Sequence, residues 1–245
     1  MIEKSIQYFR KNRNKTVGFP SEKQNDRKGE IVMKKGIALL LAGILLCTAL
    51  AGCGRREEPY GEEPLDAKPV IYLYPERETP VTVALDYDGE ITAAYPAFDG
   101  LWQVTATPDG TLTDARGVTY NYLYWEGLRE WQPDFSRGFV VAGEDTASFL
   151  EGALAQLGLT RREANEFIVY WLPLLQDSPY NLIAFQTEAY TDHAALTVTP
   201  EPDTVIRVFM ACKALEAPVQ IAPQSLSAPD REGFVLVEWG GARIG

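Results

Sequence analysis

From Val70 to Trp125 the chain alternates apolar and polar positions in short runs, broken by turn residues. Val70-Ile71-Tyr72-Leu73-Tyr74 is apolar on both alternations, which predicts a central strand buried on both faces. Val81, Val83, Leu85 and Tyr87 alternate with Thr82, Ala84 and Asp86, and Asp88-Gly89 predicts a type I′ hairpin returning through Ile91, Ala93 and Tyr95. Pro96 to Gly100 interrupts the pattern, and Trp102, Val104 and Ala106 resume it. Pro108-Asp109-Gly110 and Asp114 to Gly117 predict two more turns. Val118, Tyr120, Tyr122 and Tyr124 then share one face of a strand, with Thr119, Asn121, Leu123 and Trp125 on the other. Turn signals spaced roughly every 8–12 residues indicate antiparallel strands.

The period then changes. Phe149, Leu150, Ala153, Leu154 and Leu157 form a helical stripe from about Thr146, and Gly158 is placed to end it. Thr160-Arg161-Arg162-Glu163 is a capping box that opens a second helix, with Ala164, Phe167, Ile168, Trp171 and Leu172 on one face. Pro173 is expected to bend or end that helix. Strand patterns return at Leu182–Phe185, Ala195–Val198, Val205–Met210 and Phe234–Val237, with a turn at Pro200–Asp203. The fold class is therefore α+β: an antiparallel, sandwich-like body with an inserted αα-hairpin.

Ahead of this body stands a different segment. Met33-Lys34-Lys35 leads into an uncharged run, Ile37 to Leu50, which ends in Leu50-Ala51-Gly52-Cys53. The run is short for a membrane span, which needs roughly 20 apolar residues. Basic, apolar and small-residue parts in this order read as a signal peptide. The last four residues resemble the bacterial lipobox, and that resemblance implies cleavage before Cys53 and a diacylglyceryl thioether on its sulfur. Residues 1–32 are polar and basic and lack this pattern, so they are expected to precede the true start at Met33. Residues 53–67 carry four glutamates and two prolines and read as a flexible tether. The body is expected to be one domain, residues 68–245.

Processing at Cys53 changes the charge. Residues 1–52 hold 10 basic and 4 acidic residues, which leaves 13 basic and 30 acidic, a formal net charge of −17. Such a chain lacks the basic footprint that nucleic-acid binding requires. Cys47 leaves with the signal, Cys53 carries the lipid, and only Cys212 remains. No intrachain disulfide is then possible, and Cys212 reads as a buried thiol in the strand Val205–Cys212.

Four segments stand out: Lys68-Pro69-Val70-Ile71-Tyr72-Leu73-Tyr74-Pro75, Tyr120-Asn121-Tyr122-Leu123-Tyr124-Trp125-Glu126-Gly127, Pro202 to Met210, and Val237-Glu238-Trp239-Gly240-Gly241. Together they resemble a family of secreted and lipoprotein-type domains of uncharacterised function, found mainly in Gram-positive bacteria. The resemblance covers most of residues 68–241. It implies one evolutionary unit outside the cytoplasm and transfers no catalytic role.

Chemistry is sparse. His193 is the only histidine, and its neighbours Tyr190-Thr191-Asp192 read as a surface turn. One histidine excludes a multi-histidine zinc site. Phosphate-binding and hydrolase-elbow motifs are absent from the sequence. Trp125-Glu126-Gly127 and Glu238-Trp239-Gly240 each set a glutamate beside a tryptophan at a strand end. Paired carboxylates flanked by aromatic rings are the raw material of glycoside hydrolysis, or simply of ligand binding. Strand-end glutamates beside core tryptophans give the same pattern. Asp86, Asp88 and Glu90 could chelate Ca²⁺, but their spacing is not that of an EF-hand. The expected function is a lipid-anchored, extracytoplasmic binding or envelope-associated protein with no cofactor. Its expected partners are the membrane and a cell-wall glycan or peptide. The alternative is a glycan-acting hydrolase that uses Glu126 and Glu238.

Overall fold

Two sheets and a helical hairpin stack in three layers over residues 64–245, the part of the chain that the computed structural model describes. Residues 1–32, the signal segment, Cys53 and the tether up to residue 63 lie outside the described residues. The elements run β1 (Leu65–Tyr74), β2 (Thr79–Tyr87), β3 (Gly89–Tyr95), β4 (Leu101–Ala106), β5 (Leu112–Thr113), β6 (Thr119–Tyr120), β7 (Leu123–Arg129) and β8 (Phe139–Ala142). They continue with α1 (Thr146–Gln156), α2 (Arg161–Leu175), β9 (Tyr180–Gln186), α3 (Glu188–Thr191), β10 (Ala194–Thr199), β11 (Thr204–Leu215) and β12 (Val235–Arg243). A seven-stranded sheet has the order β3-β7-β1-β12-β11-β9-β8, and a five-stranded sheet the order β10-β2-β4-β5-β6. All pairs are antiparallel except β11 with β12. The fold is α+β.

The seven-stranded sheet is the middle layer, so its strands bury both faces. Val70, Tyr72, Val237 and Trp239 join Phe167 and Trp171 in a core beneath the helices. Ile71, Leu73, Trp125 and Leu236 join Val83 and Trp102 in a core between the sheets. This explains why β1 is apolar on both alternations.

The hairpin folds for the local reasons that its sequence gives. Gly158 takes a positive φ of 84° and closes α1. Leu159 N donates to Leu154 O at 3.0 Å and Gly158 N to Ala155 O at 3.2 Å, a Schellman pair. Thr160 Oγ1 accepts from Glu163 N, and Glu163 Oε2 accepts from Thr160 N at 2.7 Å, which completes the capping box. Arg231, on the crossover between β11 and β12, donates to Gly158 O at 2.9 Å and ion-pairs with buried Glu163. Helix α2 runs through Pro173 to Leu175. Val169, whose carbonyl loses a partner to Pro173, is 75% exposed and has water to turn to.

Three expectations change. Asp88-Gly89 is not a hairpin: β2 and β3 belong to different sheets, and Asp88 has no positive φ. The chain crosses there from one sheet to the other. A second crossing at Asn121-Tyr122 splits the tyrosine row. Tyr120 enters the core between the sheets, while Tyr122 and Tyr124 pack on the helix side. Lastly, β1 begins at Leu65, so residues 65–67, read as tether, are strand, and Asp66 and Ala67 are buried. The turns at Gly110 and Gly117 form as expected, each glycine N donating three residues back at 2.9 Å.

Candidate functional site

The four distinctive segments centre on four consecutive strands, β7-β1-β12-β11, in the middle of one sheet, and the second also reaches back across the sheet crossing to Tyr120 in β6. Several of their residues are packing devices. Pro69 lies where a Cβ on Gly240 would meet its ring at 3.0 Å, and Trp171 fills the space beside Gly241, its Cζ2 2.7 Å from the point a Cβ would occupy. Tyr87 lays its ring across Gly127, where a side chain would collide with it, and so reaches Asp66 with its hydroxyl at 2.8 Å. Lys68 interrupts β1 with a φ of 57°, at the point where the registers of β1 with β7 and β12 both shift.

The two glutamate–tryptophan pairs do not converge. Side chains alternate along a strand. Trp125 points into the core between the sheets, so Glu126 points the other way, beside Tyr124 on the helix side. Trp239 packs under the helices against Phe167, with ring centroids 5.4 Å apart, so Glu238 points between the sheets. Glu126 and Glu238 therefore sit on opposite faces, and the sheet separates their carboxylates. Glu238 is 1% exposed. Its Oε2 accepts from Arg207 Nε at 2.6 Å and its Oε1 from Trp125 Nε1 at 3.3 Å. Both tryptophans are fully buried and offer no ring to a ligand. Glu126 is half-buried and accepts from Lys68 N at 3.2 Å.

The interior face holds a second polar group. Asp66, fully buried, accepts from Tyr87 Oη at 2.8 Å, Trp131 Nε1 at 3.2 Å and Arg129 Nη1 at 3.3 Å. Burial pushes its carboxyl up to about 6, against the pull of Tyr87 and Arg129. Tyr190 stacks on Phe209 with centroids 4.1 Å apart and carries the Arg207 guanidinium over its ring at 4.8 Å. Burial and the Glu238 charge raise its phenol well above the ordinary value. Arg129 and Arg207 were legible in principle, since a lone arginine inside an apolar strand signals a buried partner. Asp66 gives no such signal in the sequence.

His193 follows α3, a single helical turn rather than a loose surface turn, and Tyr190 within it is 1% exposed. The His193 ring stacks on Trp131, and its Nδ1 lies 2.8 Å from Asp88 Oδ2. The pair ties the sheet crossing at Asp88 to the start of β10, and Asp88 N also donates to His193 O at 2.7 Å. Asp88 is thereby engaged, while Asp86 and Glu90 stand exposed beside it. Among the described residues, no group of three or more histidine, cysteine, aspartate or glutamate side chains is arranged to hold a metal ion. Cys212 is buried and its thiol is pushed up to about 12 by that burial.

Several partly open surfaces lie among the described residues. On the helix side, Lys68 Nζ lies 5.5, 5.9 and 5.8 Å from the ring centroids of Tyr122, Tyr124 and Tyr170, an arrangement that favours a cation. Along β3, with Leu85, Tyr87 and Phe98 beside it, lies a shallow, open depression of about 790 Å³.

The chain is 42% identical over 97 residues to a Butyrivibrio fibrisolvens protein described as an uncharacterized protein in the bglA 3′ region. That match covers 38% of this chain and 97% of the relative. The chain belongs to the family of that protein. The relative's description names no activity, so membership gives no role to any residue. No family model matches the chain, and no solved structure matches it.

Proposed function

We propose that this family member is a lipid-anchored, extracytoplasmic binding protein of the bacterial envelope. The observation that carries the reading is the order of parts along the chain. A sequence that resembles a lipobox ends at Cys53, a short acidic stretch follows, and strand β1 of the body begins at Leu65. One acyl chain holds a protein to a membrane only marginally, and two or more hold it stably, so a diacylglyceryl cysteine suffices as an anchor. The tether, about 12 residues at ~3.3 Å each, lets the body stand at most about 40 Å from the membrane.

Binding is favoured over catalysis by the placement of the carboxylates. A hydrolase needs its two acids facing one bond across roughly 5–10 Å of open cleft. Here Glu126 and Glu238 are on opposite faces, and Glu238 is sealed by Arg207 and Trp125. Partly open surfaces lined by tyrosine, or by carboxylates and apolar side chains, suit recognition of a cell-wall glycan or peptide.

Metabolic labelling with an alkyne fatty acid tests the anchor in the full chain. Wild type is expected to take up label and to fractionate with membranes. Cys53→Ala is expected to lose both. Equal labelling of the variant would overturn the assignment.

A further inference from the structure

We propose that a blind cleft between β10 and β11 binds the acetamido group of an N-acetylated amino sugar. The proposal rests on the reading of the body as a glycan-binding module and names the site and the ligand group. Leu196 and Val198 of β10, Val205 and Arg207 of β11 and Leu236 of β12 line a cleft of about 380 Å³. That volume falls in the range of small-ligand sites, about 300–1,000 Å³. Strand parity places these side chains on one side. Leu196, Val198 and Leu236 pack toward the core between the sheets. Arg207 and Val205 stand two and four residues before Phe209, which points into the same core.

The cleft is closed at both ends. Its two walls are successive strands joined by the turn at residues 200–203, and Glu201 and Pro202 of that turn line it. At the other end Arg207 Nη2 donates to Ala194 O at 2.6 Å and ties β11 to the start of β10. An extended chain cannot run through such a cleft, whereas a compact group can enter from the side. The walls leave apolar surface uncovered: Leu196 and Val198 are half-buried, and Val205 is 48% exposed.

Charge and hydrogen bonding select the occupant. Arg207 Nε is held by Glu238 and Nη2 by Ala194, while Nη1 makes no hydrogen bond among the described residues. A tenth of the side chain stays exposed, so the guanidinium can donate to an oxygen in the cleft. Glu201, exposed on the turn, can accept from a ligand N–H. An anion gains little here, because Glu238 already balances Arg207 and Glu201 repels it. A cation meets the guanidinium. A neutral group with one acceptor, one donor and an apolar part satisfies the whole lining. The acetamido group supplies these as its carbonyl oxygen, its N–H and its methyl, and the sugar ring that carries it stays at the mouth.

The test uses the full chain in detergent micelles and isothermal titration with three trisaccharides. These are chitotriose, its deacetylated cationic form, and cellotriose, which carries hydroxyls in place of the acetamido groups. Chitotriose is expected to bind, with at least about tenfold weaker binding of the other two. Val205→Trp fills the cleft from its exposed wall and is expected to weaken chitotriose by at least about tenfold. Glu201→Ala, on the exposed turn, removes the acceptor and supplies a second, milder block, and melting curves show which variants remain folded. Equal affinity for chitotriose and cellotriose would overturn the proposal. So would tighter binding of the deacetylated form, which marks simple adhesion to acidic surface, or unchanged affinity in both folded variants, or no binding of chitotriose. If the same preparation binds isolated cell walls equally well with and without Val205→Trp, the cleft proposal fails while the binding-module reading stands. If it binds neither cell walls nor chitotriose, both fail.

Discussion

Glu238 and Arg207 face each other across the parallel register of β11 and β12, and their side chains meet at 2.6 Å inside the sandwich. The carboxylate is 1% exposed and the guanidinium 10%. Removing one member of such a pair leaves an uncompensated buried charge, at a cost of about 3–5 kcal/mol. Glu238→Ala is therefore expected to lose about that much in urea unfolding. The double variant Arg207→Met/Glu238→Met should lose clearly less than the sum of the two single changes. Additive losses would show that the pair does not act as a unit.

Gly127 carries no side chain because the Tyr87 ring occupies that space. Gly127→Ala brings the new Cβ near the Tyr87 ring and to 2.9 Å from the Glu90 carbonyl oxygen, so both must give way. Overpacking of this kind costs about 1–3 kcal/mol. Denaturant midpoints should fall accordingly, and an unchanged midpoint would mean that both shift freely.

Asp66 gives the fold a pH dependence of defined sign. Burial raises its carboxyl from 3.8 to about 6 in the native state, so the native protein holds this proton more tightly than the unfolded chain does. Its contribution is full below about pH 4 and is lost as pH rises through 6. The shift corresponds to about 3 kcal/mol. Asp66→Asn should flatten the stability profile between pH 4 and 6 relative to wild type. A profile with the same slope in both proteins would place the titration elsewhere.

Cys212 lies in the helix-side core with its thiol raised to about 12. A thiol needs its thiolate to react. The native protein at pH 8 is expected to leave Cys212 unmodified by a maleimide, and unfolding in urea is expected to expose it. Rapid modification of the native thiol would contradict its burial.

The sequence announces what local chemistry controls. The capping box at Thr160 and Glu163, the Schellman glycine at 158 and the doubly apolar β1 all form from their own residues. The two sheet crossings were illegible, because Asp88-Gly89 and Asn121-Tyr122 leave the alternation of their neighbours intact whether the chain turns back or changes sheet. The start of β1 was hidden for another reason. Leu65-Asp66-Ala67 follows the acidic run Glu62-Glu63-Pro64 and carries a charge at its centre, and only Tyr87, Arg129 and Trp131, far along the chain, make Asp66 an interior residue. The same holds for the glutamate–tryptophan pairs. The sequence sets each glutamate beside its tryptophan, but strand parity then sends Glu126 and Glu238 to opposite faces.

The anchor is the claim on which the placement of the body at a membrane depends, and intact mass spectrometry of the protein extracted from membranes tests it most directly. The mature chain is expected to begin at Cys53 and to carry the added mass of a diacylglyceryl group on that residue. A membrane-extracted chain that retains residues before Cys53, or begins there without lipid, would contradict the account.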